Sequence, residues 1–214
     1  MRTLILTGAT GGLGTEVAAR LRETYDCVAL LRRGSAPEGM RGIRADLADA
    51  ASVRQAMQSV PSPYGLVHLA GGFAPGSLAE TSDETWTNMI GLNLTGAFTA
   101  IREILAVMDR QSPGRIIVIS SDATRTKAPG SVAYTVSKSG LNVLIELLAK
   151  ELAGTAITAN ALLPSSLDTP AMRQFMPREK LVPLGSIAGT IAFLLSDAGA
   201  NINGALIPLG AVRS

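Results

Sequence analysis

Short apolar runs alternate with amphipathic stretches along almost the entire chain. The runs predict strands at 4–6, 27–31, 66–69, 115–119, 156–162 and 206–209, with a further short strand that closes at Asp46-Leu47. The amphipathic stretches predict helices at 15–23, 50–60, 83–109, 132–152 and 186–195. Unbroken apolar strands between helices are typical of a parallel sheet covered on both faces. We therefore predict an α/β fold with a doubly wound parallel sheet of about seven strands, flanked by helices on both faces.

No repeat, low-complexity segment or linker divides the chain, so we expect a single domain over residues 1–214. Two irregular segments, 71–76 and 164–183, follow predicted strands. They should therefore lie at the carboxyl edge of the sheet, where open α/β sheets bind ligands. We expect the longer segment, 164–183, to act as a lid over a substrate.

Composition excludes several classes of function. Hydrophobic residues make up 47% of the 214 residues and charged residues 17%, which is typical of a globular protein. The net charge is +2 and no basic run occurs, so we expect no nucleic-acid partner. We also expect no metal site. No apolar stretch approaches the roughly 20 residues that span a bilayer. With no visible secretory signal and a single cysteine, Cys27, we expect a soluble, cytoplasmic protein without a membrane partner.

A glycine-rich turn joins the first predicted strand to the first predicted helix. Glycines permit a tight turn and let the backbone approach a pyrophosphate, whose charge the helix N-terminus favours. The turn predicts a Rossmann-type dinucleotide site that contains Gly8, Thr10, Gly11, Gly12, Leu13 and Gly14. The glycine spacing fits both TGxxxGxG and GxxGxxG. The second pattern is typical of sugar epimerases with a sizeable C-terminal substrate domain, for which this chain has no room.

The end of the second predicted strand indicates which dinucleotide binds. Enzymes of this fold that use NAD commonly carry an acidic residue there, which binds the ribose 2′-hydroxyl. This chain has Arg32 and Arg33 instead, beginning 18 residues after Gly14. A guanidinium holds a 2′-phosphate through paired hydrogen bonds. We therefore predict NADP, with NADPH preferred over NADH; the alternative is a pair of solvated arginines at a strand end.

A tyrosine and a lysine one helical turn apart suggest acid–base chemistry. Tyr134 and Lys138 are four residues apart on a predicted helix, which places them on the same face. A neighbouring ammonium stabilises a phenolate, so we expect Lys138 to lower the pKa of Tyr134. Ser121 follows a predicted strand 13 residues upstream of Tyr134, and Asn93 lies in the middle of the preceding long helix.

Taken together, these motifs resemble the short-chain dehydrogenase/reductase family from residue 3 to about residue 210. The order and spacing of the pieces are more specific than any single piece. The matching pieces are residues 7–14, Asp46-Leu47, Ala70-Gly71-Gly72, Asn93, Ser121, Tyr134, Lys138 and residues 163–170. The resemblance implies a Rossmann-type oxidoreductase whose further cofactor contacts are Asp46, Leu47, Ala70, Gly71, Gly72, Tyr134, Lys138, Pro164 and Thr169.

The same resemblance implies a role for each catalytic candidate. Tyr134 would donate the proton in carbonyl reduction, and Ser121 would hydrogen-bond to the substrate oxygen. Lys138 would bind the nicotinamide ribose and lower the pKa of the tyrosine. Asn93 would hold a water in a proton relay to Lys138.

Three positions depart from the family pattern. Leu69 replaces the usual asparagine after the fourth strand, Ser165 replaces the usual glycine after the sixth, and a terminal glycine pair is reduced to Gly210. A narrower resemblance, to dihydropteridine reductases, rests on residues 68–73, Trp86 and residues 163–177. Those enzymes favour NADH and lack the family serine, so this likeness points to loop architecture more than to substrate.

We therefore predict an enzyme that transfers hydride between NADPH and a small carbonyl or quinonoid substrate. The predicted lid suits a compact substrate because it carries few charges and several apolar side chains, namely Leu167, Met172, Phe175 and Met176. The alternatives are a protein that senses NADP(H) without turnover and an enzyme like dihydropteridine reductase. Because the helix at 132–152 is apolar on nearly all sides, we also expect a homodimer or homotetramer.

Overall fold

Seven parallel strands form the sheet that the apolar runs predict. In a computed structural model, which describes residues 1–211, the strands are β1 (Thr3–Thr7), β2 (Asp26–Leu31), β3 (Arg41–Arg44), β4 (Gly65–His68), β5 (Gly114–Ile119), β6 (Ile157–Pro164) and β7 (Leu206–Leu209). Their order across the sheet is β3-β2-β1-β4-β5-β6-β7. The direction of winding therefore reverses between β1 and β4, and open α/β sheets bind ligands at such a reversal. The predicted fold class is confirmed.

Helices cover both faces of the sheet. They are α1 (Gly12–Leu21), α2 (Ala50–Gln58), α3 (Asp83–Ile90), α4 (Gly96–Leu105), the short α5 (Ala123–Thr126), α6 (Val132–Glu151) and α7 (Leu184–Leu195). Short 3₁₀ turns also occur within residues 1–211, at Met172–Gln174, Arg178–Lys180 and Asp197–Gly199. None of the helices within residues 1–211 has the length and apolar character needed to cross a membrane.

The alternation of side chains along the strands divides the core into two layers. Ile5 on β1 lies opposite Val28 on β2 and Leu66 on β4, and all three face the layer covered by α2, α4 and α6. Leu4 and Leu6 face the other layer, which α1 and α7 cover. Burying a leucine or isoleucine side chain contributes about 1.5–3 kcal/mol, so these two layers stabilise the sheet edge on which a ligand would sit.

The prediction of one continuous helix at 83–109 is wrong. The structure divides it into α3 and α4, separated by a π-helical segment at Gly91–Thr95. A π-helical turn accommodates an extra residue within a helix, which apolar periodicity alone does not reveal, and such turns are frequent at functional sites. Asn93, the candidate at the middle of the predicted helix, lies in this segment.

Candidate active site

A cleft opens at the carboxyl edge of β1, β2 and β4, where the winding reverses. Its volume is about 810 Å³. Nine of the predicted cofactor residues line it: Gly8, Thr10, Gly11, Arg32, Arg33, Asp46, Leu47, Ala70 and Gly71. The lining residues that sequence reasoning missed come mainly from the end of α3 and the π-helical segment: Thr87, Asn88, Met89, Gly91 and Leu92. A cleft of this size and position suits a dinucleotide.

The glycines of the first turn have two different roles. Gly8 has a left-handed backbone (φ +67°), and a Cβ atom there would come within 2.7 Å of the Ala70 nitrogen. A Cβ on Gly14 would overlap the carbonyl oxygen of Gly8. Gly11 and Gly12, by contrast, are exposed, and a Cβ on Gly12 would meet only the Thr169 methyl group, at 3.6 Å. The outer glycines therefore allow close packing, while the middle ones leave backbone open to a phosphate.

Two arginines stand at one end of the cleft without acidic partners. Arg32 and Arg33 directly follow β2 and are exposed. Neither forms a hydrogen bond or an ion pair through its side chain with any residue in the range 1–211. Asp46, on the neighbouring strand connection, is engaged locally because its Oδ1 accepts a hydrogen bond from the Ala48 nitrogen at 3.0 Å. The guanidinium groups therefore keep their donors available for an anion.

Tyr134, Ser121 and Lys138 meet at the carboxyl ends of β5 and β6, as the spacing of the motif predicts. Lys138 is 5% exposed, and its Nζ donates a hydrogen bond to the Ile119 carbonyl oxygen at 2.7 Å. Ser121 lies two residues after β5, and its Oγ accepts a hydrogen bond from the Ala123 nitrogen at 3.2 Å. The Ser121 hydroxyl lies close enough to Tyr134 to act on the pKa of the phenol, which it lowers. The serine and the tyrosine can therefore bind the same substrate oxygen.

The pKa of Tyr134 shifts in the direction opposite to the one expected from Lys138. Burial raises the pKa of Tyr134 above its ordinary value, and the nearby Ser121 hydroxyl offsets only part of that rise. Burial also lowers the pKa of Lys138 to about 8. Desolvation thus dominates at both groups, because each has lost water that would stabilise its charged form. Tyr134 is consequently a protonated phenol at neutral pH.

Asn93 is completely buried and clamps the segment that follows β4. Its Oδ1 accepts a hydrogen bond from the Gly72 nitrogen at 2.8 Å, and its Nδ2 donates to the Gly72 oxygen at 3.0 Å. The same Nδ2 also donates to Ser137 Oγ at 3.0 Å. Because both amide hydrogens are engaged, the Asn93 side chain has no donor left for the predicted relay water. The clamp connects the π-helical segment to both the glycine pair and α6.

Gly71 marks the point where Asn93 and Lys138 converge. A Cβ atom at this glycine would come within 2.9 Å of Asn93 Oδ1 and 3.1 Å of Lys138 Nζ. Since Gly71 also lines the cleft, it brings the two catalytic candidates next to the predicted cofactor site. Gly72 lies outside the cleft lining but is held by Asn93.

His68, at the end of β4, is buried beside this group. Its Nδ1 is 3.0 Å from Thr7 Oγ1, and its Nε2 has no hydrogen-bond partner within residues 1–211. Burial and, secondarily, the charge of Lys138 lower its pKa to about 3. His68 is therefore neutral at physiological pH, which fits a packed residue better than a proton carrier.

The segment that follows β6 is held by an ion-pair cluster. Asp168 is buried and accepts hydrogen bonds from Arg173 Nε at 2.5 Å, from Arg173 Nη2 at 3.1 Å and from Arg178 Nε at 3.0 Å. Arg173 and Arg178 hold the pKa of this carboxyl below its usual range. Leu167 forms a parallel bridge with Val182, which closes the segment into a loop. Asp168 thus compensates one of the two arginine charges, and the cluster keeps a net charge of +1.

The chain is similar to proteins of one known family. A family model described as short chain dehydrogenase matches residues 2–180. The chain belongs to the short-chain dehydrogenase/reductase family. It is therefore an oxidoreductase, and the motifs that carry the resemblance occur in the places described above.

Its relatives within the family include reductases. The 3-oxoacyl-(acyl-carrier-protein) reductase MabA of Mycobacterium tuberculosis is 32% identical, over 97% of this chain and 91% of its own. The corresponding FabG of Staphylococcus aureus is 30% identical, over 96% and 95%. A solved family oxidoreductase from Burkholderia thailandensis is 28% identical with a TM-score of 0.86, over 97% and 90%. A variant of actinorhodin polyketide ketoreductase solved with NADPH is 25% identical with a TM-score of 0.88, over 97% and 95%.

Two of the departures from the family pattern have visible structural settings. Leu69 lies directly after β4, lines the cleft and packs against the core layer under α1 and α7, so it contributes apolar surface where the pattern has an amide. Ser165 follows Pro164 at the end of β6, and its nitrogen donates to the Leu209 oxygen at 2.9 Å. Leu13, a predicted cofactor contact, has its side chain buried in the same layer as Leu69.

Phe73 is the site residue that sequence reasoning assigned no role. Its ring contacts the ring of Tyr134 edge to face, with 5.0 Å between centroids and 74° between planes. The only sequence signal was its position directly after the Gly71-Gly72 pair, in a segment already predicted to lie at the ligand edge of the sheet.

Proposed function

We propose that this enzyme transfers hydride between NADPH and a small carbonyl or quinonoid substrate, with Tyr134 as the acid–base group. The proposal rests on one arrangement: Tyr134 lies beside Ser121 at the carboxyl edge, while the adjacent cleft ends at Arg32 and Arg33, which have no side-chain partner within residues 1–211. Relatives named as reductases support carbonyl chemistry. A ketoreductase of similar fold solved with NADPH supports the cofactor.

The residues of the cleft fit NADP. The exposed backbone at Gly11 and Gly12 would hold the pyrophosphate, and Arg32 and Arg33 would hold the 2′-phosphate. Asp46 and Leu47 would contact the adenine, and Lys138 the nicotinamide ribose. The remaining contacts would come from the segments after β4 and β6, namely Ala70, Gly71, Gly72, Pro164 and Thr169. When bound, NADPH supplies the hydride.

Proton delivery falls to Tyr134 and Ser121. In reduction, the Tyr134 hydroxyl gives its proton to the carbonyl oxygen as hydride reaches the carbonyl carbon. Ser121 Oγ already accepts from the Ala123 nitrogen, which leaves its own hydrogen for the same substrate oxygen. The raised pKa of Tyr134 keeps the donor protonated before the hydride transfer.

The loop at 164–183 supports a compact substrate. We propose that it acts as a lid within a single domain, since it leaves β6 at the ligand edge and Thr169 approaches Gly12. Its exposed Phe175 offers an apolar surface, while Arg173 and Arg178 are both bonded to Asp168, which compensates one of their two charges. An acyl chain on an acidic carrier protein fits this loop less well.

A second candidate is reduction of a carrier-bound 3-oxoacyl thioester, which the names of the relatives favour. A steady-state comparison of kcat/KM for small ketones, aldehydes, quinones, quinonoid dihydropterins and a 3-oxoacyl-carrier thioester separates the two. Following nicotinamide absorbance, we expect the small substrates to lead. A tenfold or greater advantage for the carrier substrate, about 1.4 kcal/mol in transition-state binding, would establish the second candidate. Binding of NADPH without turnover of any substrate would indicate a sensor.

We also propose that the enzyme assembles with copies of itself. Several large apolar side chains on the π-helical segment, α4 and α6 are exposed: Leu92 (38%), Phe98 (43%), Val136 (44%), Val143 (53%) and Leu147 (53%). An exposed apolar helix face of this extent is usually covered by another chain. A homodimer or homotetramer in which these helices pair would cover it.

A further inference from the structure

The Phe73 side chain is highly exposed, and its ring contacts the ring of Tyr134, the candidate acid. Its side chain is 64% exposed, although a phenyl ring gains by burial. Its only aromatic partner within residues 1–211 is Tyr134, in the edge-to-face geometry that aromatic pairs prefer. The rest of the Phe73 ring surface therefore remains available beside the Tyr134 ring.

The backbone on both sides of Phe73 is anchored. On one side, two hydrogen bonds from the Asn93 side chain hold the Gly72 backbone. On the other, the Gly76 nitrogen donates to the Gly130 oxygen at 2.9 Å, and the Val132 nitrogen donates to the Gly76 oxygen at 3.1 Å. Val132 is the first residue of α6, the helix that carries Tyr134. These bonds hold the backbone on either side of Phe73 against the helix that carries the proton donor.

The surroundings of Phe73 are apolar. Residues 69–79 contain no charged side chain. A Cβ atom on Gly72 would come within 2.8 Å of Leu92 and 3.7 Å of Met89, so the loop lies directly on these two side chains. A group that packs on Phe73 therefore meets an aromatic face in a segment that has no charged side chain of its own.

We propose that Phe73 determines substrate specificity by packing against a flat apolar group bonded directly to the reacting carbonyl. A carbonyl whose oxygen accepts from Tyr134 carries its substituents next to the Tyr134 ring, and Phe73 lies 5.0 Å from that ring. The enzyme would thus prefer aryl ketones over alkyl ketones of similar size. The inference rests on the proposed function, since it requires Tyr134 to donate the proton. Hydride from NADPH reduces the carbonyl carbon, the Tyr134 proton goes to oxygen, and NADP⁺ is released.

Two ketones of equal ring size test the proposal. Acetophenone carries a flat ring and cyclohexyl methyl ketone a puckered one. We expect Phe73→Leu to lower kcat/KM for acetophenone by about three- to tenfold, mainly through KM, because the aromatic contact is lost. The value for cyclohexyl methyl ketone should change by less than about twofold. Phe193→Leu, which removes an exposed phenyl ring from α7 outside the candidate site, is the matched control and should leave the ratio of the two ketones unchanged.

A second variant guards against an effect on folding or on Tyr134. Phe73→Trp keeps a flat aromatic face and should retain the preference for acetophenone, with NADPH affinity and Tm close to wild type. An equal loss for both ketones in Phe73→Leu would overturn the proposal, because Phe73 would then only support Tyr134. Unchanged kcat/KM values for both ketones would overturn it too. If the wild-type enzyme oxidises NADPH with neither these ketones nor any other carbonyl, the proposed function itself fails, and this inference with it.

Discussion

His68 offers a direct test of the electrostatics beside the catalytic lysine. It is the only histidine of the chain and is completely buried, so a single side chain reports the effect. Burial lowers its pKa from 6.5 to about 3. The unfolded chain therefore binds a proton as the pH falls through 6.5, whereas the folded protein does not until about pH 3. Stability from this group is present above pH 6.5 and is lost progressively across that interval.

The size of the effect follows from the two pKa values. Each pH unit inside the interval costs about 1.4 kcal/mol of unfolding free energy. Between pH 7 and pH 4.5 the single histidine accordingly removes roughly 2.5 kcal/mol. Because a domain of this kind has a total stability of about 5–15 kcal/mol, the loss should be conspicuous in a denaturation curve.

Urea unfolding at pH 7 and at pH 4.5 measures this loss. Carboxylates also titrate in this range, so wild type is compared with His68→Asn and His68→Gln, which keep a polar partner for Thr7 but do not titrate. We expect both variants to lose about 2.5 kcal/mol less than wild type between the two pH values, whatever their stability at pH 7. A proton NMR titration of the one imidazole should show no protonation above pH 5. An imidazole that titrates near pH 6.5, or equal losses in wild type and variants, would refute the reasoning.

Three further predictions concern the cofactor, the chemistry and the assembly. NADPH should bind more tightly than NADH, and Arg32→Asp should reverse or greatly reduce this preference, because a carboxylate repels a 2′-phosphate; tighter NADH binding by the wild type in a titration would contradict the assignment. Tyr134→Phe should lower turnover by about 10²–10⁴-fold while NADPH affinity persists, since only the proton donor is lost; a variant with most of its turnover would exclude Tyr134 as the acid. Light scattering at micromolar concentration should give a dimer or tetramer, and a monomer would leave the exposed faces of α4 and α6 unexplained.

Much of the fold could be predicted because its determinants are local in sequence. Unbroken apolar runs mark strands buried on both faces, and the strand and helix order then restricts the sheet to a doubly wound arrangement. The glycine turn could likewise be placed, since a left-handed residue such as Gly8 and a close approach such as that of Gly14 demand glycine itself. The spacing of Tyr134 and Lys138 was informative because four residues complete about one turn of a helix.

The sequence by itself therefore determined the fold class, the glycine turn, the arginine pair after β2 and the membership of Ser121, Tyr134 and Lys138 in one cluster. Only the tertiary structure decided that Asn93 lies in a π-helical segment and clamps Gly72, that Asp168 binds two arginines, and that Phe73 rests on Tyr134. It also decided the protonation of the cluster, where the pKa of Tyr134 is raised instead of lowered. The physical reason is that periodicity records which face of an element is buried. Desolvation and side-chain pairing, in contrast, depend on which distant elements pack together, and no local pattern contains that information.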